Sequence, residues 1–289
     1  MAERLSYCAA EVRRRDYDRF LTVLFAPPAA REHLFALYAF NHEIAKVRET
    51  VSEPMLGQIR LQWWREAITG VYEANRGGGA VRKHEIVEAL GAAVAAARPS
   101  RASFEALIDA RELDLVADPP ATLGALEGYC EASASQLLWL AAEFLGVAWS
   151  RGTGPATRTK LRHLGIAWAL TGLVRAIPFH ARAKRQYIPV EVADAAGLRA
   201  EALFALKPSE ALCRAVGALA GCAEKHLTEA RGAGPADRAA RPLVLFGTLT
   251  GGYLRLLRRR GHEVMEKPIE LSSTAKIARL WWAARTSPG

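Results

Sequence analysis

The sequence contains no run of about 18 uncharged apolar residues, the least that a membrane-spanning helix requires. Its most apolar stretch, Leu137 to Trp149, is interrupted by Glu143, so a span through a bilayer is not expected, whereas contact with a membrane surface stays open. The opening residues, Met-Ala-Glu-Arg-Leu-Ser-Tyr-Cys, carry no basic segment followed by an apolar core; a secretory leader is not expected, and the chain should remain inside the cell. Cysteine is scarce. Cys8, Cys130, Cys213 and Cys222 are widely spaced and form no C-x-x-C pair, which excludes a dense disulfide framework and the common zinc ribbons and leaves reduced, mostly buried thiols. The seven histidines form no H-x-x-x-H pair, an argument against a dedicated transition-metal site. β-branched alternation never persists, so strands are not expected either.

What is present is a helical vocabulary. Ala, Leu, Arg and Glu dominate long segments with apolar residues three or four apart, and 51% hydrophobic with 24% charged residues is enough to bury a large core. The spacing predicts an all-α chain, one domain over 1–289, with helices after Pro27-Pro28 (Leu34, Leu37, Ile44, Val47) and over Met55–Tyr72, the latter presenting Ile59, Trp63 and Ala67 on one side. Further helices are predicted over Val81–Ala97, Phe104–Val116, Leu123–Val147, Ala156–Arg182, Ser209–Arg231, Leu243–Arg260 and Thr274–Arg285. Pro178 should kink or end its helix near Val174–Ile177. Trp63-Trp64 and Trp281-Trp282 read as core packing, and Asp109, Glu112 and Asp114 as surface ion-pair partners. Basic residues outnumber acidic ones, 39 to 30. That balance suits an anionic partner such as a phosphate or a membrane surface; nucleic acid is the weakest choice, because no recognised binding module accompanies the charge.

Tyr38-Ala-Phe-Asn-His-Glu-Ile-Ala-Lys-Val-Arg-Glu49 followed by Leu61-Gln-Trp-Trp-Arg65 resembles the first half of the squalene and phytoene synthase family. Leu170-Thr171, Arg175 and Arg185-Gln-Tyr-Ile-Pro189 resemble its second half, with Tyr129-Cys130 between them. The resemblance spans roughly 15–260 and implies an isoprenoid-synthase-like multi-helix fold around a central cavity. In that family two acidic motifs on facing helices hold magnesium, which binds the diphosphates of two prenyl substrates. Acids four apart place hard oxygen ligands on one helix face. Aligned on the flanking residues, the first motif here becomes Asn41, Ala45, Lys46 and Glu49, with Ala45 in place of the first aspartate. The second becomes Gly172, Arg175, Ala176 and His180 in place of Asn, Arg, Asp and Asp.

These departures, together with Val-Ser-Glu at 51–53, Leu137-Leu138 and Arg175-Ala-Ile-Pro-Phe-His180, resemble a branch of the family that serves in assembly of mitochondrial respiratory complex I. The resemblance implies a non-catalytic protein without a metal cofactor. Its partners would be complex I subunits or assembly intermediates, an anionic membrane surface and an isoprenoid or lipid ligand. It would be cytoplasmic and peripheral at the inner membrane, or on the matrix side in an organelle. The alternatives are a prenyltransferase joining two prenyl diphosphates head-to-head, with magnesium, and a lipid-binding protein without chemistry. The stripe Asn41, Ala45, Glu49 faces either the cavity or another helix. Arg175, Arg182, Lys184, Arg185 and Tyr187 form either a metal-free phosphate or lipid-headgroup site or a solvated helix end. The basic segments Leu254–Arg260 and Lys276–Arg285, within a C-terminal region at about 243–289, either dock on a membrane or partner or are buried with snorkelling arginines.

Overall fold

The computed structural model describes residues 5–51, 53–116 and 118–286. The first four residues of the leader reading, Ser52 of the 51–53 match and the last three residues of the 243–289 region lie outside them. Among the described residues every regular element is helical, as the composition requires. Two short helices open the chain, α1 (Tyr7–Arg15) and α2 (Tyr17–Val23), each started by a side-chain cap: Ser6 Oγ accepts from the Ala9 N–H and Asp16 Oδ1 from the Arg19 N–H. Then come α3 (Pro28–Ala45), α4 (Val47–Thr50) and α5 (Pro54–Ala74), with proline in the first turn of α3 and α5, where its missing N–H costs nothing.

The face that α5 buries is Gly57, Leu61, Trp64, Ile68 and Val71, where Trp64 meets Phe40 edge-on at 5.3 Å. Ile59 is 60% exposed and Trp63 only half-buried, so of the expected stripe only Ala67 is in the core. Helix α6 (Glu85–Ala97) starts later than expected because the His84 ring caps it, accepting from the Ile86 N–H. Helix α7 (Arg101–Glu112) runs into a 3-10 turn at Leu113–Leu115.

The predicted helix over Leu123–Val147 is three pieces: α8 (Leu123–Cys130), a π-turn at Glu131–Ser135, and α9 (Gln136–Phe144). The widened turn lies against α10 (Gly154–Arg182), where Ser135 Oγ donates to the Arg162 carbonyl at 2.6 Å. Gly165 allows this approach, since a Cβ there would collide with the Ser135 backbone. Helix α10 is the centre of the molecule, packed against α9, α13 (Glu210–Gly232) and α15 (Phe246–Arg259). By length and composition it is apolar enough to cross a membrane, unlike the expectation from uncharged runs, but half of its apolar window is buried inside the fold. Pro178 does not end it. One lost hydrogen bond close to the C-terminus is outweighed by the packing of the rest, and the helix continues to Arg182.

Between α10 and α13 lie α11 (Val190–Ala196) and α12 (Ala200–Phe204), too short to leave a periodic signal. The segment expected as Leu243–Arg260 divides into α14 (Arg241–Val244) and α15, and α16 (Ser273–Thr286) closes the chain. Buried apolar residues from Cys8 to Ala283 form one continuous cluster. All four cysteines are free thiols, two buried and two half-buried.

Candidate functional site

Asn41 and Ala45 lie one turn apart near the end of α3 and, with Arg15, Arg19, Tyr38 and Arg111, line a cavity of about 190 Å³. Tyr38 Oη and the Nε atoms of Arg19 and Arg111 are buried there without a hydrogen-bond partner among the described residues. The expected stripe ends at this point. Helix α3 closes at Ala45, hydrogen bonding restarts from the Lys46 carbonyl, and Glu49 sits exposed on α4. Glu49 therefore does not share the cavity wall with Asn41 and Ala45. Lys46 is spent on an ion pair with Glu43.

A larger cavity of about 460 Å³ is lined by Arg48, Asp114, Tyr129, Lys184, Arg185 and Tyr187, among others. Arg185 Nη2 donates to the Arg48 carbonyl at 3.2 Å and so ties the turn after α10 to α4. Asp109 and Glu112 are ion-paired with Arg65 at the surface, as expected. Asp114 is not a surface group. It is 8% exposed, accepts from Tyr129 Oη at 2.7 Å and Tyr187 Oη at 3.4 Å, and faces Arg111 Nη1 at 3.2 Å. Arg111 also donates to Tyr129 Oη at 3.1 Å and reaches Asn41 Oδ1 at 3.5 Å. Burial opposes its charge, but Tyr129 and Asp114 more than compensate and it is held as a cation. Arg111 lines the smaller space while Asp114 and Tyr129 line the larger, so one polar cluster serves as their common wall. The sequence reading missed this cluster; its signal is the Arg111-x-x-Asp114 spacing, which puts both groups on one side of the turn where α7 ends.

The second motif divides. Arg175 does not join the basic group beyond the helix end: its Nε donates to the Ile269 carbonyl at 2.8 Å, it is ion-paired with Glu270, and its guanidinium lies 3.7 Å from the Tyr253 ring centroid. Arg182 is exposed and lines neither cavity, whereas Lys184, Arg185 and Tyr187 line the larger one. His180 packs 4.7 Å from the Tyr187 ring, and burial, then Arg185, pushes its pKa down to about 4, so the imidazole is neutral at pH 7. Its Nδ1 is buried without a partner among the described residues. Beside Gly172 there is open space, since a Cβ there would meet nothing within 4 Å.

Magnesium does not fit the residues at these positions. Ala45, Gly172 and Ala176 offer no ligand atom and His180 offers a nitrogen to a cation that demands oxygen. Of the acids on the wall of the smaller cavity, Glu11, Asp16 and Glu43 are paired with Arg14, Arg19 and Lys46, and Glu49 is exposed off that wall.

The C-terminal expectations also divide. Leu254 and Leu257 are in the core, so α15 is the buried helix with arginines on its outer side, Arg258 pairing with Glu224. On α16 the opposite holds: Ile277, Trp281 and Trp282 are 48%, 48% and 66% exposed, so the second tryptophan pair is not core. Arg285 lies 3.6 Å from the Trp281 ring centroid.

This arrangement of helices is the all-α isoprenoid-synthase fold: a dehydrosqualene synthase of known structure superposes with a TM-score of 0.80 at 18% identity, covering 96% of this chain and 93% of that one. The family model for squalene/phytoene synthase matches residues 12–281, and the chain belongs to that family. Among its relatives are a Bos taurus protein named NADH dehydrogenase (ubiquinone) complex I, assembly factor 6, 30% identical over 78% of this chain, and a presqualene diphosphate synthase of Sinorhizobium fredii, 27% identical over 91% of each chain. The aligned region spans 65% of the bovine protein's length.

Proposed function

We propose that this chain is a non-catalytic squalene/phytoene synthase-like protein acting in the assembly of respiratory complex I at a membrane surface. The observation that carries the reading is the chemistry of the two motifs, in which Ala45, Gly172, Ala176 and His180 supply no oxygen ligand. The likeness to proteins named as complex I assembly factors supports the biological role. The larger cavity has Arg48, Lys184, Arg185 and Tyr187 on its wall beside Asp114 and Asp118, and its cationic side suits a phosphate or acidic headgroup held without a metal ion. The exposed Ile277, Trp281 and Trp282 beside Arg285 suit reversible contact with an anionic bilayer. Deleting the gene should lower assembled complex I and rotenone-sensitive NADH oxidation and leave isoprenoid products unchanged, with salt or alkaline washing releasing the protein from membranes. Normal complex I with loss of squalene or a carotenoid would overturn this reading.

The second reading, a prenyltransferase, is favoured by one observation: the aligned presqualene diphosphate synthase spans nearly the whole chain. It predicts magnesium-dependent turnover of farnesyl diphosphate.

A further inference from the structure

Two histidines and a glutamate from two different helices converge at a point that lines neither cavity. His163, on α10, is nine residues or about 14 Å of helix before Gly172. Its Nδ1 lies 2.8 Å from His226 Nδ1 and 2.9 Å from Glu229 Oε2, and His226 Nδ1 is 3.7 Å from the same carboxylate oxygen. His226 and Glu229 are on α13, the helix packed along α10. The His163 and His226 side chains are 13% and 8% exposed and that of Glu229 is 39% exposed, so the group has a dry side and an opening to solvent. On its far side His226 Nε2 lies 2.7 Å from Glu127 Oε1 on α8, which also accepts from Cys222 Sγ at 3.2 Å.

We propose that His163 Nδ1, His226 Nδ1 and Glu229 Oε2 bind a divalent transition-metal ion of the zinc class, clamping α10 to α13.

The tautomer chemistry points the same way. Glu127 Oε1 lies 2.7 Å from His226 Nε2, and the tautomer in which Nε2–H donates to it leaves the lone pair of that ring on Nδ1, facing His163 and Glu229. Three lone-pair atoms then meet with at most one proton, that of His163 Nδ1, to share among them. A divalent ion satisfies all three. With metal–nitrogen bonds of about 2.0–2.1 Å, tetrahedral ligand atoms lie about 3.3 Å apart, and the observed 2.8, 2.9 and 3.7 Å bracket that edge. The Glu127–His226 contact is the carboxylate–histidine pair that orients a metal-bound imidazole. Imidazole with one carboxylate selects zinc-like ions over magnesium, and three protein ligands leave a fourth position for water. Cys222 stays outside this ligand set, its Sγ donating to Glu127 Oε1 at 3.2 Å on the Nε2 side of His226. The expectation against such a site rested on the absence of H-x-x-x-H within one helix, a test that does not see ligands contributed by two.

The test uses the full chain, stripped with EDTA and titrated with cobalt(II), followed by displacement with zinc. One cobalt per chain should bind with visible absorption of tetrahedral intensity and no sulfur-to-cobalt charge-transfer band, and zinc should displace it and raise the melting temperature. His163→Ala and His226→Ala should each weaken binding by about 100-fold or more, and Glu127→Gln, one step removed from the ion, by about 10-fold. Glu229→Gln changes a half-exposed side chain without altering core packing, so its loss of binding is readable even if a histidine variant folds poorly; Cys222→Ser should bind as the parent does. The proposal is overturned if cobalt gives no such spectrum, if Glu229→Gln binds undiminished, or if Cys222→Ser abolishes binding of an ion whose spectrum carries a thiolate band.

Discussion

Two buried aspartates organise the polar interior, and they differ in what they hold together. Asp114 lies at the wall shared by the two cavities, with its partners Arg111, Tyr129 and Tyr187 drawn from α7, α8 and the turn after α10. Asp18 lies at the other end of the chemistry. Lys276 Nζ is 2.8 Å from its Oδ1, Tyr253 Oη donates to its Oδ2 at 2.6 Å, and Arg175, the surviving arginine of the second motif, approaches at 3.8 Å. Lys276 and Arg175 also pair with Glu270. Burial disfavours the Lys276 charge, but Asp18 and Glu270 outweigh it and hold the ammonium protonated. In both places a carboxylate is matched by cations of the chain itself. At Asp114 the matched group faces empty space that a ligand can enter; at Asp18 it fastens α16 onto α2 and α15. The lesson is that the polar interior meets its own charge requirement, with Arg175 engaged in structure instead of waiting on a phosphate.

Removing one partner at each centre should break the comparison most sharply at Asp114. Asp114→Ala leaves Arg111 buried with only the Tyr129 hydroxyl and the Asn41 amide oxygen beside it, and urea denaturation should show a loss of about 3–5 kcal/mol. Lys276→Ala leaves Asp18 with Tyr253 and Arg175, so its expected cost is smaller, about 2 kcal/mol, accompanied by proteolytic release of α16 while the rest of the chain stays resistant. Equal losses, or protection of α16 in the lysine variant, would mean that the two centres are not divided in this way.

A further effect, gradual in pH, arises at His180 beside the Tyr187 ring. His180 has a folded pKa of about 4 against an unfolded value of about 6.5, so between these values the unfolded chain binds more protons and stability rises with pH. Its contribution is complete above pH 6.5 and is lost as pH falls toward 4. His180→Gln should flatten that dependence by up to about 1.4 kcal/mol per pH unit in this window, measured by denaturant titration at successive pH values. An unchanged slope would mean that His180 is not held neutral.

The contrast also shows what was legible beforehand. Helix content, and most helix bodies from α3 onward, follow from apolar residues three and four apart, with the start at Ser209 fixed by its local cap, whereas α1 and α2, started by Ser6 and Asp16, were not read. The π-turn at Glu131–Ser135 was not legible because it depends on Ser135 and Gly165 meeting across helices. The alignment located Ala45, Gly172, Ala176 and His180, because losing a carboxylate is visible residue by residue. It could not assign Arg175, whose partners Asp18 and Glu270 are 157 and 95 residues away in the chain, nor reveal that Asp114 is buried while Asp109 and Glu112 are not. Side-chain charge balance is a property of tertiary neighbours, and a period of three or four residues carries no information about them.

The central claim, that the two motifs no longer support metal-assisted prenyl condensation, is tested most directly by incubating the purified chain with magnesium and farnesyl diphosphate and analysing the products. No presqualene diphosphate, squalene or other condensation product should form, and Ala45→Asp with Ala176→Asp should not restore it while Gly172 and His180 leave the ligand set incomplete. Product formation by the unaltered chain, lost with EDTA and regained with magnesium, would contradict the account.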